Sequence, residues 1–456
     1  MFAFLLFWRL CHHGVLWIEE AYPLVGALEV LHGRWPYWDF WFDKPPGAIL
    51  FYLLFGALPG LPLRFAGALY LLLCCWLAAR LGGRWAAWLL AAYTSWGIPS
   101  ATLALAPDLL LLAPHLGAVL LAQRAKPLLA GLVSGLALLV HSKGLFVLLA
   151  ALLWAPHWRV LAGFAALLPL HALGASAYWL QVWEWGRLYS AHTFLTNPWR
   201  EFGTRTLNWM GFHAAALAAM QFSRNGWRWW LWAGISLGSV LLGQRFFPRY
   251  YFFLLAPVCV MGGIALAGMA KRWRMAILSL LLIPALRFAP FHLRLLVGDD
   301  SHADLALFRD SRQIARTVEQ QAKTGDTLFV WGYRPDISAL ARLSSGTPYL
   351  ESQPLNCVLA DRHLFSLARL PDPACAARLA EFRRYTPRFL VDGLGPLNPA
   401  LALERFRPLN GYELVERTNS ATLYRLVSPP DQPLEVRQAN PAASTHPADA
   451  SHQAAR

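Results

Sequence analysis

Long apolar runs separated by short polar breaks fill the first 292 residues of the chain. A helix needs about 20 predominantly apolar residues to cross a membrane, and several of these runs are shorter, so their ends are approximate. The pattern nevertheless predicts a mostly α-helical, polytopic membrane protein. We expect about 11 transmembrane helices, at 1–17, 62–79, 85–98, 105–122, 127–141, 144–156, 160–178, 207–222, 229–243, 250–269 and 275–292.

The pattern changes after residue 292, where charged and apolar positions mix. It predicts a small α/β domain over 293–427, and a Pro-, Ala-, Ser- and His-rich tail over 428–456 that lacks the apolar residues to fold. Helices are expected at 302–323 and Pro335–Arg342, and strands at Asp326–Trp331 and Arg388–Asp392. A closing hairpin is expected from Glu413–Glu416 and Ala421–Leu426.

Composition supports the membrane assignment. The 456 residues are 57% hydrophobic and 14% charged, more apolar than a soluble chain of this size. The net charge of +14 reflects topology, because basic residues without acids fill alternate connections. By the positive-inside rule these connections face the cytoplasm, and we expect no nucleic-acid partner. They hold Arg80, Arg84, Arg124, Lys126, Arg159, Arg224, Arg228, Lys271, Arg272 and Arg274.

All acids before residue 293 fall in the opposite connections, which places them and the α/β domain outside the cytoplasm of a bacterial inner membrane. Five of the eight cluster between residues 17 and 47, in an external loop expected over 18–61. Glu184 and Glu201 lie in a long predicted loop, 179–205. A charge at the bilayer centre costs roughly 2.5–3.5 kcal/mol, so the cluster must meet water or line a polar cavity. The eight acids are Glu19, Glu20, Glu29, Asp39, Asp43, Asp108, Glu184 and Glu201.

Glu19-Glu20 begins an amphipathic pattern that predicts a helix along the outer membrane surface. A motif follows that contains two prolines directly after Lys44. The prolines prevent a helix from continuing through this point and restrict the backbone there. The acidic pair and this motif resemble the first external loop of the GT-C glycosyltransferases. The likeness is to the bacterial branch similar to dolichyl-phosphate-mannose–protein mannosyltransferases and aminoarabinose transferases. The matching residues are Gly33, Pro36, Tyr37, Asp39, Phe40, Lys44, Pro45 and Pro46.

Three further segments are similar to elements of that family: Ala106-Pro107-Asp108, Gly131–Lys143 and Arg245–Pro257. This chain has Glu19 where the family usually has Asp. The resemblance implies transfer of a monosaccharide from a polyprenyl-phosphate carrier to an acceptor hydroxyl on the outer face, with inversion. Such a reaction needs a carboxylate to take the hydroxyl proton and cations to stabilise the departing phosphate.

The resemblance also implies roles for individual residues. We expect Glu19 to be the base, with Glu20 orienting it or the acceptor and Asp39 as a further catalytic candidate. Asp43 and Asp108 are candidates for binding sugar hydroxyls or a divalent metal ion, and the metal is left open. The acceptor is a lipid, a glycan or a protein. The expected phosphate ligands are Lys44, Arg245, Arg249 and Lys143.

Each role has a structural alternative. Glu19 and Glu20 could be solvated acids at a helix start, where the helix dipole favours negative charge. Asp108 after Pro107 could cap a helix. Charge pairing in a solvated loop is the alternative for Asp39 with Arg34 and Asp43 with Lys44, and snorkelling to lipid headgroups is the alternative for Arg245 and Arg249.

Two other functions are also considered. A transporter or flippase for lipid-linked sugars would be expected to show inverted repeats and broken helices at mid-membrane, and no repeat is visible. A non-catalytic relative would only bind polyprenyl lipid. No nucleophile elbow, zinc signature or phosphate-cradling glycine loop is present in the sequence. Cys357 and Cys375 could form a disulfide in an extracytoplasmic domain.

Overall fold

The computed structural model describes residues 1–171, 174–192, 197–223, 226–299, 303–360 and 363–427. A large helical part extends to residue 296, and a smaller α/β part follows it. The predicted tail, 428–456, lies outside the described residues.

Helices overlap all eleven predicted apolar runs. The α- and π-helices of this part are Phe2–Leu10, Ile18–Leu31, Gly47–Leu53, Leu61–Tyr93, Pro99–Thr102, Pro107–Leu110, Leu112–Gln123, Pro127–Val140, Gly144–Trp154, Trp158–Ala165, Ala175–Tyr178, Trp179–Glu184, Trp185–Ala191, Pro198–Phe212, Ala214–Gln221, Trp227–Leu241, Phe252–Gly268, Lys271–Leu278 and Leu282–Leu296. Its 3₁₀-helices are Leu168–His171, Pro248–Tyr251 and Ser279–Leu281.

The predicted number of membrane crossings is not confirmed. Within the described ranges, three helices are long and apolar enough to cross a membrane: Leu61–Tyr93, Pro248–Gly268 and Lys271–Leu296. Trp158–His171 and Ser176–Ala191, bent by 101°, make a fourth if they form one broken span. Several other apolar helices are shorter, because prolines and glycines interrupt the runs. The predicted loop at 179–205 is largely helical.

Glycine allows the long helices to bend and to pack closely. Gly83 has φ 77° and ψ −176°, which interrupts Leu61–Tyr93 between the predicted runs 62–79 and 85–98. At Gly82, a Cβ atom would lie 2.6 Å from the backbone oxygen of Val260. Only glycine therefore lets this helix approach Phe252–Gly268 so closely.

The α/β part confirms the elements that the sequence predicts. Its strands are β1 (Leu328–Trp331), β2 (Phe389–Asp392), β3 (Tyr412–Arg417) and β4 (Thr422–Leu426), in the order β1-β2-β4-β3. β1 and β2 are parallel and fully buried, as expected of strands covered on both faces. β4 is antiparallel to its neighbours β2 and β3. The helices are Ala303–Gln321, Pro335–Ala341, Gln353–Asn356 and Cys375–Phe382.

The external loop and the α/β domain lie on the same side of the helical part, as the charge pattern predicts. Arg34 Nη2 donates to the Thr347 carbonyl at 2.8 Å, and the Trp41 amide donates to the Pro348 carbonyl at 2.7 Å. The amide of Ser345 donates to Glu29 Oε1 at 2.6 Å. Helix Ile18–Leu31 is therefore mostly buried beneath the domain and does not lie open along a membrane surface.

Cys357 and Cys375 form a disulfide, with Cα atoms 6.1 Å apart. We expect replacement of both by serine to destabilise the α/β domain by about 2–4 kcal/mol, because the bridge restricts the unfolded chain. Thermal melting of the purified protein, followed by intrinsic fluorescence, checks this. The buried free cysteine Cys259, changed to serine, controls for loss of a thiol elsewhere, and an unchanged melting temperature in the double variant would contradict the prediction.

Candidate active site

A cavity of about 760 Å³ lies between the helical part and the α/β domain, a size typical of small-molecule sites. Many charged side chains line it. The described lining residues include four carboxylates, Glu19, Asp43, Asp108 and Asp336, and six cations, Lys44, Lys143, Arg187, Arg245, Arg249 and Arg334. With histidines neutral, two positive charges are in excess, which favours an anionic ligand.

An alternating row of charges crosses the helical wall of the cavity. Glu19 Oε1 lies 2.7 Å from Arg249 Nη1, and Arg249 Nε lies 3.7 Å from Asp108 Oδ2. Asp108 Oδ1 accepts a hydrogen bond from Lys143 Nζ at 2.6 Å. The row joins residues far apart in the chain. Glu19 keeps 28% of its side chain exposed, so the carboxylate remains accessible from the cavity.

Glu19 occupies the first turn of helix Ile18–Leu31, which begins after Trp17 in extended conformation. Lys143 directly precedes helix Gly144–Trp154. Its ammonium lies 3.7 Å from the ring centroid of Tyr250, a cation–π contact that fixes the side chain. Helix starts therefore present both groups to the cavity.

Asp108 is in the first turn of Pro107–Leu110, whose N-cap residue is Ala106 and has no side-chain cap. The capping interpretation of Asp108 is therefore wrong. Its buried carboxylate instead contacts two cations, which holds Lys143 and Arg249 next to each other.

The first-loop motif positions Lys44. Tyr37 Oη donates a hydrogen bond to the Lys44 carbonyl at 2.7 Å, and Lys44 Nζ lies 2.8 Å from Asp43 Oδ2. Both Asp43 and Lys44 line the cavity. Beyond the prolines, a Cβ atom at Gly47 would lie 2.6 Å from the Leu139 backbone oxygen. Glycine is thus needed where helix Gly47–Leu53 meets Pro127–Val140.

Arg245 also lines the cavity, and its side chain is buried. Its Nη2 donates to the Tyr189 carbonyl at 2.7 Å, and its guanidinium carbon lies 3.6 Å from the Tyr189 ring centroid. The flanking Gln244 and Phe246 have φ of 47° and 51°, which is rare for residues other than glycine. Such strain clusters at functional sites. Arg245 and Arg249 both belong to the cavity wall, which disfavours the snorkelling interpretation.

The structure places Glu20 outside the cavity. It is fully buried and forms an ion pair with Arg64, which is also fully buried. Its carboxylate accepts further hydrogen bonds from the amides of Trp17 at 3.1 Å and Leu105 at 3.2 Å. This position supports a structural role in place of the predicted catalytic one. Arg64 lies inside an apolar run, and its need for a buried carboxylate was a sequence signal that we missed.

Asp39 is likewise outside the cavity and exposed to solvent. Its Oδ2 accepts a hydrogen bond from the Trp35 amide at 2.7 Å, and its backbone carbonyl accepts one from Arg34 Nη2 at 2.8 Å. Asp39 therefore closes the turn that leads to Lys44. The position agrees with the loop interpretation and not with the predicted catalytic role.

Several cavity residues come from the α/β domain, in which the sequence pattern indicated no candidate site residue. They include Tyr333, Arg334, Asp336, Gln353 and His363. The available signal was positional: Tyr333 follows a buried strand closely, and such strand ends commonly form ligand sites. Arg187, on helix Trp185–Ala191, was missed in the predicted loop.

The residues do not fit a metal centre. Within the described parts of the chain, no group of three or more His, Cys, Asp or Glu side chains could hold a metal ion. Asp43 and Asp108, the predicted metal candidates, are engaged by Lys44, Lys143 and Arg249.

No protein-family model matches the chain, and no curated protein matches it. Among solved structures, it is similar to ArnT from Cupriavidus metallidurans bound to undecaprenyl phosphate, with 17% identity, coverage of 91% of this chain and 95% of that one, and a TM-score of 0.47. The apo state of the same ArnT gives 16% identity, the same coverage and a TM-score of 0.49.

The chain is also similar to the oligosaccharyltransferase AglB from Archaeoglobus fulgidus in complex with an inhibitory peptide and a dolichol-phosphate. This match has 12% identity, covers 92% of this chain and 71% of that one, and has a TM-score of 0.41. With identities this low and TM-scores below 0.5, function is drawn from the cavity itself.

Proposed function

We propose that this protein is a membrane glycosyltransferase that moves a monosaccharide from a polyprenyl-phosphate carrier to an acceptor hydroxyl. The observation that carries the proposal is the convergence of Glu19 with Arg249, Lys143 and Lys44 in one cavity with excess positive charge. The proposed site is the extracytoplasmic face of a bacterial inner membrane, with membrane lipids as surroundings.

The cavity offers complementary surfaces to a lipid-linked phosphate. Arg249, Lys143, Lys44 and Arg245 supply positive charge for the phosphate, and Arg249 adds a planar guanidinium with five N–H donors. Apolar side chains complete the wall on the helical side: Leu145, Phe146, Leu242 and Phe247. A charged headgroup and an apolar chain can thus be held by adjoining surfaces.

In the proposed reaction, the acceptor hydroxyl oxygen bonds to the anomeric carbon from the face opposite the phosphate. The bond between that carbon and the phosphate oxygen breaks, and its electron pair leaves with the polyprenyl phosphate. Glu19 accepts the hydroxyl proton and later releases it to water. The configuration at the anomeric carbon is inverted.

Arg249 links the two halves of this chemistry, because it contacts Glu19 and belongs to the cation cluster. It would hold the base at a defined position relative to the leaving phosphate. Such positioning lowers the barrier by removing the cost of bringing reacting groups together. Asp108 would support the arrangement by fixing Arg249 and Lys143.

The proposal is tested with purified full-length protein in nanodiscs supplied with radiolabelled undecaprenyl-phosphate sugars and acceptor mixtures. Transfer of label to an acceptor supports it. Movement of intact donor between the leaflets of sealed proteoliposomes, without transfer, would favour the flippase alternative. Donor binding with neither outcome would favour a non-catalytic lipid-binding relative.

Arg249→Gln is expected to weaken binding of undecaprenyl phosphate by at least about tenfold, because a buried charged hydrogen bond to the phosphate is lost. Arg249→Lys should recover part of the affinity, since it restores charge without the planar donor pattern. Binding is measured by microscale thermophoresis in nanodiscs. Arg205→Gln, which removes an ion pair with Glu201 on the helix Pro198–Phe212, is the control. Equal affinity in Arg249→Gln and the parent would remove Arg249 from the phosphate site.

A further inference from the structure

The α/β domain presents one particular edge of its sheet to the cavity. β1 and β2 are parallel neighbours, with Trp331 opposite Asp392 at their carboxyl ends. The segments just after these ends, at Tyr333 and at Gly393, both line the cavity. In open α/β sheets, ligands bind in the crevice outside the carboxyl ends of parallel strands. The domain therefore contributes a ligand-binding edge as well as a cover.

The backbone at this edge is held in place. Gly332 has φ 113°, a conformation that other residues rarely adopt, and its amide donates to Ser352 Oγ at 2.9 Å. The Gly393 amide donates to the Trp331 carbonyl at 2.8 Å. These bonds fix the turn from which Tyr333 reaches the cavity, so the side chain has a defined position.

The cation nearest to this edge is already engaged inside the domain. Arg334 Nη2 donates to the Leu307 carbonyl at 2.7 Å and to Ser311 Oγ at 2.5 Å, and its Nη1 donates to the Ser420 carbonyl at 3.3 Å. Asp336, which also lines the cavity, lies 3.9 Å from Arg334 Nε and forms an ion pair with it. The neutral polar groups that the edge offers to a ligand are those of Tyr333 and His363 and the amide nitrogen of Gln353, whose Oε1 accepts a hydrogen bond from the Ala360 amide at 2.6 Å.

Both titratable groups of this set are uncharged at pH 7. Burial raises the pKa of Tyr333 well above its usual value. Burial, with a smaller effect of Arg334, lowers the pKa of His363 to about 4. The negative charges of Glu19, Asp43 and Glu351 also raise the pKa of Tyr333, and Tyr333 and Glu19 line the same cavity.

The two sides of the cavity thus differ in chemistry. The helical side is cationic and suits the phosphate, whereas the edge of the α/β domain offers a phenol, an imidazole and an amide. Neutral donors and acceptors beside an aromatic ring match the hydroxyls and the apolar face of a sugar. A phosphorylated or carboxylated acceptor would find no unengaged cation among these edge residues.

We propose that the carboxyl ends of β1 and β2 form the acceptor subsite, that Tyr333 and His363 hydrogen-bond the acceptor, and that the acceptor is an uncharged saccharide unit. This inference rests on the proposed function and specifies its acceptor. It assigns acceptor recognition to the α/β domain and donor recognition to the helices.

Saturation-transfer NMR on the full-length protein in nanodiscs tests the inference, with maltose, cellobiose and N,N′-diacetylchitobiose as neutral probes and glucuronic acid as the anionic probe. We expect at least one neutral probe to bind, more tightly than glucuronic acid. Tyr333→Phe and His363→Asn should each weaken that binding by about threefold to tenfold, as expected for loss of one hydrogen bond. Tyr424→Phe, on β4 and outside the cavity, should bind as the parent does.

Undecaprenyl phosphate binding, measured on the same samples, separates the two proposals. Both variants should keep it, which also shows that they are folded. Preference for glucuronic acid, unchanged saccharide binding in both variants, or no neutral probe bound while undecaprenyl phosphate binds would overturn the acceptor inference alone. Failure of the parent to bind undecaprenyl phosphate would overturn the proposed function and with it the inference.

Discussion

Glu19→Gln is expected to reduce the rate of sugar transfer by about 10²–10⁴-fold, the usual contribution of a general base. The amide has nearly the shape of the carboxylate but cannot accept the hydroxyl proton. Because Arg249 and the other cations remain, undecaprenyl phosphate binding should change much less than the turnover rate. Steady-state kinetics with labelled donor, combined with a separate donor-binding measurement, distinguish the two effects.

Two variants control this experiment. Glu184 lies outside the cavity, and its carboxylate accepts a hydrogen bond from Trp179 Nε1 at 3.2 Å. The Glu184→Gln variant should therefore transfer sugar at the parent rate. Glu19→Asp keeps a carboxylate one methylene shorter and should retain much more activity than Glu19→Gln. Parent-like turnover in Glu19→Gln would show that another group takes the proton.

The neighbouring substitution, Glu20→Gln, is expected to act on stability, with a loss of about 3–5 kcal/mol. Glu20 and Arg64 have no exposed side-chain surface, and their ion pair lies among apolar helices. Removing the negative charge leaves the buried Arg64 positively charged without its carboxylate partner. The expected signs are a lower melting temperature and poor recovery from membranes.

The pair can be tested as a unit. In Glu20→Gln with Arg64→Met, both charges are removed, and the double variant should recover much of the stability lost in either single variant. Fluorescence-detected size-exclusion chromatography after heating provides the measurement. A Glu20→Gln protein that melts as the parent does but transfers no sugar would restore the catalytic role predicted from the sequence.

Much of the secondary structure follows from local pattern. Helices lie at every predicted apolar run, and the strands and hairpin of the α/β domain begin and end within a few residues of their predicted positions. Apolar periodicity, prolines and glycines act over short distances, so one sequence is enough to place these elements. The number of membrane crossings is not determined in this way, because length and hydropathy do not show how short helices combine.

Several residues of the site could be predicted from the sequence, whereas their contacts could not. The resemblance of the first loop and of the segments Gly131–Lys143 and Arg245–Pro257 to a known family predicted that Glu19, Lys44, Lys143, Arg245 and Arg249 belong together, and all five line the cavity. Their partners could not be predicted. Whether Asp108 caps a helix or holds two cations depends on where helices Gly144–Trp154 and Phe252–Gly268 begin relative to it, which is a property of packing.

Local sequence patterns were thus sufficient to predict that the acids before residue 293 gather on one side of an apolar helical protein, together with an α/β domain. Packing alone assigned different environments to Glu19 and Glu20. Successive side chains on a helix point about 100° apart, so adjacent glutamates cannot share one environment, and the orientation of helix Ile18–Leu31 sends the first to the cavity and the second to Arg64 in the core. The contribution of Tyr333 and His363 likewise arises only when the domain docks, since no local pattern records which edge of a sheet will face a distant cavity.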